Sequence, residues 1–142
     1  LLVYWLAAQP LSLMCGDVSA EQYLASQVDT FPLVQELNQR LPADARVLLY
    51  GETRGLYLKR DYLWADVGLS TVVPYSRFRD AREMLAWLKA RGWRYALFNK
   101  QFTASPRDSR PMALWNQAEH QGLVTLYAAR QDREGIYCLW IP

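Results

Sequence analysis

The chain has 142 residues, 51% of them apolar, and a net charge of +2 from 16 basic and 14 acidic side chains. This length suits one domain that buries a core without a metal or disulfide. Basic and acidic residues are interspersed, unlike the clustered basic face of a nucleic-acid-binding protein, so nucleic acid is not an expected partner.

The first fourteen residues, Leu1 to Met14, are apolar and carry no charge. They are too few to cross a bilayer, which takes about 20 residues. Two interpretations stay open: the tail of a transmembrane helix, or an apolar element docked on the domain. We therefore divide the chain into an apolar membrane-proximal or docked segment, residues 1–18, and a single soluble α/β domain, residues 19–142.

Two helices are predicted next. Ser19 and Gln22 have the spacing of a capping box, which predicts a short helix. Asp29 and Thr30 offer a second N-cap, and the helix that follows is stopped by Pro42.

A buried strand, Arg46–Tyr50, is followed by a short strand at residues 62–64. Apolar residues at helical spacing from Phe78 to Leu88 predict a third helix, which ends at Gly92. Residues 95–98 form another buried strand.

The last helix is predicted to begin at Pro111 and to end at Gly122. Residues 123–129 and 135–141 then form two strands, each with one face in the core and the other partly exposed. This order of elements predicts an α/β fold: a three-layer Rossmann/flavodoxin-like sandwich with a mainly parallel five-stranded sheet. The expected strand order is 2-1-3-4-5, with an antiparallel C-terminal strand at one edge, where weak association with a second copy is expected.

Polar residues follow the predicted strands, where ligands bind in open α/β sheets. The candidate ligand-binding rim consists of Glu52, Arg54, Asp66, Asn99 and Lys100. The alternative is structural: Glu52 and Arg54 form an internal ion pair that fixes their loop. The six Trp and nine Tyr residues also allow two interpretations, as anchors in the core or as a surface that faces a sugar or a partner.

No catalytic residue, metal site or cofactor is predicted. Cys15 and Cys138 belong to no CxxC or Cys/His cluster, and they are either two buried thiols or a disulfide formed in an oxidising compartment. His120, the single histidine, lies near a helix end without a nucleophile to activate. The loop from Gly51 to Gly55 lacks the spacing of a phosphate-binding or dinucleotide-binding loop.

Several short patterns along the first hundred residues are similar to a known family. They include Phe31-Pro32, Leu41-Pro42, Gly51-Glu-x-Arg-Gly55, Tyr57-Leu58-x-Arg60, and Gly92 followed by the strand that ends at Asn99. The chain thereby resembles the soluble C-terminal domain of bacterial polytopic membrane proteins of the dolichyl-phosphate-mannose–protein mannosyltransferase-like glycosyltransferases.

The resemblance implies a parent protein in a bacterial cell membrane, with this domain on the extracytoplasmic (periplasmic) side. The parent would use a lipid-phosphate-linked sugar, and its catalytic acidic residue would lie in a part absent from this chain. The domain would then be a non-catalytic accessory that assists in positioning the acceptor, with the membrane part of the parent and a sugar or lipid-linked sugar as partners. The alternatives are a stand-alone sugar-binding or nucleotide-binding module and a protein-interaction domain.

Overall fold

The computed structural model describes residues 16, 18–67, 71–100, 109–130 and 135–142. The chain divides into two compact units, Leu1–Pro32 and Leu33–Pro142. Helix α1 (Ala20–Gln27) belongs to the first unit, and α2 (Phe31–Arg40) begins there and continues into the second. The apolar segment predicted at residues 1–14, like Cys15, lies outside the described residues.

The predicted capping box at the start of α1 is confirmed. Ser19 Oγ accepts a hydrogen bond from the Gln22 amide at 3.1 Å, and Gln22 Oε1 accepts one from the Ser19 amide at 3.0 Å. Two amides at the helix start are thereby satisfied by nearby side chains, which explains why the pattern is readable from sequence. No described helix combines the length and the apolar character needed to cross a membrane.

The second unit contains a five-stranded sheet with the order β2-β1-β3-β5-β4. Strands β1 and β2 are parallel, as are β1 and β3, whereas β5 is antiparallel to both β3 and β4. The strands are β1 (Arg46–Tyr50), β2 (Asp61–Trp64), β3 (Trp93–Asn99), β4 (Thr125–Arg130) and β5 (Ile136–Trp140). The protein is therefore a mixed α/β fold, and the predicted adjacency of β1 and β3 is confirmed.

The predicted order 2-1-3-4-5 is wrong, because the C-terminal strand lies inside the sheet. In β5 every residue except Trp140 is buried, whereas Ala128 is the one buried residue of β4. A strand that is apolar on both faces gains most from two neighbours, so β5 packs beside β3 and leaves β4 at the edge. The expectation that β5 is half exposed is wrong for the same reason, and association through a C-terminal edge strand loses its structural basis.

Helices cover both faces of this sheet. Helices α3 (Ala81–Ala90) and α4 (Arg110–His120) pack on one face, in a cluster that includes Leu48, Phe98 and Leu139. On the other face, Leu33 and Leu37 of α2 pack in a second cluster. Alternate strand residues point to opposite faces, so consecutive residues of β1 serve the two clusters in turn.

Helix α3 begins at Ala81, three residues after the predicted position. The Asp80 carboxylate accepts a hydrogen bond from the Glu83 amide at 2.9 Å, and this N-cap fixes the start of the helix. Phe78 is buried as expected, but it lies before the helix. Helix α4 starts with Ser109 as N-cap and with Pro111 in its first turn, close to the prediction.

Candidate functional site

The carboxyl ends of β1, β2 and β3 meet at one edge of the sheet, because these strands are parallel. Tyr50 is in register with Phe98, and Leu49 with Trp64. The chain leaves β1 toward β2 on one side and leaves β3 toward the other half of the sheet, so the space between β1 and β3 is the topological switch point. Asn99 is the last residue of β3, and the other four predicted rim residues follow the ends of the three strands. The role of all five in binding stays a prediction.

Glu52 and Arg54 form an ion pair within the loop that follows β1. The Glu52 carboxylate is 2% exposed and accepts hydrogen bonds from Arg54 Nε at 2.8 Å, Arg54 Nη2 at 3.0 Å and the Arg54 amide at 2.7 Å. Such charge-assisted bonds are what a buried carboxylate requires. The internal ion pair that the sequence suggested as a structural alternative is therefore present. The same ion pair holds the partly exposed Arg54 guanidinium in one orientation.

Asp66 ties the end of β2 to the end of β1. Its Oδ2 accepts a hydrogen bond from the Gly51 amide at 2.7 Å, and Gly51 has a φ of 66°, a conformation that favours glycine. Burial raises the pKa of the Asp66 carboxyl above its ordinary value of 3.8, and the bond from Gly51 opposes this shift. Asp66 is partly exposed at the rim. Because its pKa is raised, its carboxyl stays protonated to a higher pH than an ordinary aspartate does.

Two buried tyrosines support the rim from below. The hydroxyls of Tyr50 and Tyr75 lie 2.6 Å apart, and Tyr75 donates to the carbonyl of Ala65 at 2.8 Å. Burial raises the pKa of both phenols, so both stay protonated at neutral pH. Sequence reasoning missed Tyr75, because no local pattern shows that a residue 25 positions away will meet Tyr50.

Asn99 and Lys100 occupy different environments, although they are neighbours in sequence. Asn99 is completely buried at the end of β3, so it belongs to the floor of the rim and not to its surface. The Lys100 ammonium lies 5.1 Å from the centre of the Tyr137 ring, a cation–π contact. Of the predicted residues, Arg54, Asp66 and Lys100 therefore carry the accessible polar atoms.

An exposed tryptophan lies beside this rim. Trp64, the last residue of β2, is 41% exposed and stands two positions before Asp66. Its ring centre lies 5.9 Å from that of Tyr62. Other described tryptophans, such as Trp115, are buried in the core as anchors, and the surface interpretation of the exposed ones stays a prediction. The position of Trp64 at a predicted strand end was the signal that could have added it to the rim.

A groove of about 490 Å³ lies away from the rim, near the opposite edge of the sheet. It is bordered by the side of α3 that carries Arg82 and Lys89, the turn after α4 and the residues that follow β5. Its lining residues are Arg82, Leu85, Ala86, Lys89, Gly122, Leu123, Ile141 and Pro142. Sequence reasoning did not single out this surface, since only the fold brings its three segments together.

Cys138 and His120, the other residues considered from the sequence, lie outside the rim. Cys138 is a free thiol in the core, and burial raises its pKa to about 12. His120 is the last residue of α4, where a cation is favoured by the helix dipole. Within the described residues, no group of three or more His, Cys, Asp or Glu side chains is placed to hold a metal ion.

The protein is thus a mixed α/β domain in which helices pack on both faces of the sheet. Polar residues lie at the carboxyl ends of its parallel strands. Compared with protein-family models and with curated protein sequences, the chain matches none.

Proposed function

We propose that this domain is a non-catalytic sugar-binding accessory of a membrane glycosyltransferase-like protein, on the extracytoplasmic side. The resemblance described from the sequence supports the parent and its location. We also infer a flavodoxin-like arrangement for one half of the sheet, because the parallel strands β2-β1-β3 have the same order as the first three strands of flavodoxin-like folds.

The observation that carries the sugar-binding proposal is the exposed Trp64 at the end of β2, two residues before Asp66. An exposed indole offers a flat apolar face for the C–H groups of a pyranose ring. The Asp66 carboxyl lies two residues away, where it accepts hydrogen bonds from sugar hydroxyls. Small-molecule sites combine these features: an aromatic surface and a few placed polar groups.

Arg54 adds a donor of fixed direction. Its guanidinium is held by the buried Glu52 carboxylate, so little side-chain entropy is lost when a ligand hydroxyl or phosphate meets it. In this proposal the Glu52–Arg54 ion pair positions the guanidinium for the ligand, and the Glu52 carboxylate does not itself bind the ligand. Transfer chemistry is assigned to the membrane part of the parent.

The test is a titration of the ¹⁵N-labelled domain with hexoses, hexose 1-phosphates and nucleotides, followed through the Gly51 and Asp66 amides. Saturable shifts are expected for a sugar ligand. They should be lost in Trp64→Ala and largely kept in Trp64→Phe, which retains an aromatic face. Trp140→Ala is the matched control, because Trp140 is also an exposed strand-end tryptophan.

Absence of saturable shifts across the panel would reject the sugar-binding proposal, as would equal binding by the wild type and Trp64→Ala. The parent is tested separately by the full reading frame, which must encode hydrophobic spans before this domain. A frame without spans would favour the second candidate function, a stand-alone sugar-binding or nucleotide-binding module at the same rim. That candidate rests on the same Trp64 and Asp66 geometry.

A further inference from the structure

The groove on α3 combines an apolar floor with two positive charges. Arg82, Leu85, Ala86 and Lys89 occupy positions i, i+3, i+4 and i+7 of the helix, so they share one face. Leu123 and Ile141 extend the apolar surface from the other side of the groove. Its volume, about 490 Å³, falls within the range of ligand pockets, roughly 300–1,000 Å³.

The two cationic side chains have no polar partner among the described residues. Arg82 and Lys89 are both exposed, and neither side chain forms a hydrogen bond or ion pair with another described residue. Neither aspartate nor glutamate lines the groove. The nearest acidic residue in sequence, Glu83, is paired with Arg79 at 3.3 Å. The helical wall of the groove therefore has a cationic side chain at each end, and no acidic side chain lines the groove.

The spacing of these charges restricts the ligand. Seven residues are about two helical turns, so Arg82 and Lys89 are separated by about 10 Å along α3. In a polyproline II segment, residues i and i+3 lie on the same side and about 9 Å apart. Two acidic residues with that spacing can meet both cations while a side chain between them rests on Leu85 and Ala86.

We propose that this groove binds an extended acidic segment of a partner protein, with carboxylates three residues apart and apolar residues or proline between them. Two observations favour this partner. Its carboxylates are complementary to Arg82 and Lys89, and the separation of residues i and i+3 in a polyproline II segment matches the separation of the two cations along α3. This surface is separate from the rim, and the inference does not depend on the proposed sugar binding.

The experiment uses two peptides of identical composition. One is acetyl-Pro-Glu-Leu-Pro-Glu-Pro-amide, and the control is acetyl-Pro-Glu-Glu-Leu-Pro-Pro-amide, which has the same charge but adjacent glutamates. Each is titrated into the ¹⁵N-labelled protein at low salt. We expect the first peptide to shift the Ala86, Lys89, Gly122 and Leu123 amides, with rim amides such as Gly51 unchanged.

Removing the two charges tests the basis of recognition. Exposed ion pairs contribute modestly, so we expect the double variant Arg82→Gln/Lys89→Gln to bind about tenfold more weakly at low salt, with less dependence on salt concentration. The matched control is Arg77→Gln/Lys59→Gln, which removes two exposed cations elsewhere and should leave binding unchanged. All four side chains are exposed, so these variants should fold.

Three results would overturn the proposal. The first is the absence of shifts at the groove with either peptide. The second is equal binding of the two peptides, which would remove the spacing argument. The third is unchanged binding by Arg82→Gln/Lys89→Gln, which would show that the charges do not select the ligand.

Discussion

Asn38 of α2 donates from Nδ2 to the carbonyl of Tyr57 at 2.9 Å, in the connection from β1 to β2. Its Oδ1 accepts from the Lys59 amide at 2.7 Å. One amide side chain thus satisfies two backbone groups of the segment that carries Glu52 and Arg54. This contact fixes the loop beside the rim against a helix.

Replacing Asn38 should therefore destabilise the domain. In Asn38→Ala both backbone groups lose their partner, and we expect the free energy of unfolding to fall by about 2 kcal/mol. Urea denaturation measures the change. Asn116→Ala is the control, because Asn116 is an exposed asparagine on another helix and its replacement should cost little. Equal stability of the two variants would contradict the assigned role.

Arg60 caps the end of α2. Its guanidinium donates to the carbonyls of Asn38 at 3.0 Å, Leu41 at 2.6 Å and Pro42 at 2.7 Å. Lysine keeps the charge but lacks the planar fork, so we expect Arg60→Lys to lose about 1–2 kcal/mol of stability. Thermal unfolding should show a lower midpoint for Arg60→Lys than for Arg77→Lys, whose parent side chain is exposed. If both midpoints match the wild type, the cap is not stabilising.

Gly55 is required by the close approach of Tyr62. A Cβ at position 55 would lie 2.4 Å from Tyr62 Cε2. We expect Gly55→Ala to cost about 1–3 kcal/mol through this overlap. In a double-mutant cycle, Gly55→Ala should cost much less in a Tyr62→Ala background, because the clashing ring is gone. Additive costs would show that the ring is not the obstacle.

Asp66 should contribute a specific pH dependence of stability. Because burial raises its pKa above 3.8, the folded state binds this proton more tightly than the unfolded chain does. The resulting stabilisation is present below the unfolded pKa and is lost as pH rises through the folded pKa.

Asparagine cannot ionise and can still accept from Gly51, so the stability of Asp66→Asn relative to wild type should increase from pH 3 to pH 7. Urea denaturation across this range measures it. Asp61→Asn, an exposed carboxyl, controls for the loss of one negative charge. A relative stability that falls with pH would show that the pKa is lowered instead.

Cys138 should be unreactive in the folded protein. Its thiol is buried and its pKa is raised to about 12, so thiolate is scarce and inaccessible at pH 8. In a Cys15→Ser background, iodoacetamide should label Cys138 in urea but not under native conditions. Mass spectrometry gives the extent of labelling. Rapid native labelling would contradict the buried position.

Elements with local signals were predictable. The Ser19–Gln22 capping box and the strand Arg46–Tyr50 depend on residues a few positions apart, and both are present. The start of α3 was misplaced because Phe78 continues the apolar spacing, while the Asp80 cap decides where the helix begins. The polar residues at the ends of β1 and β3 were also predictable, since parallel strands end at one edge.

The sequence by itself determined which segments are helices and strands, with approximate bounds, and the polar composition of the rim, because backbone propensity and hydrophobic periodicity act over a few residues. Only the tertiary structure decided that β5 lies inside the sheet, that Trp64 is exposed, and that α3 forms the wall of a cationic groove. These features depend on which distant apolar surfaces bury one another most completely. The burial of these surfaces depends on the whole domain, so no local sequence pattern indicates it.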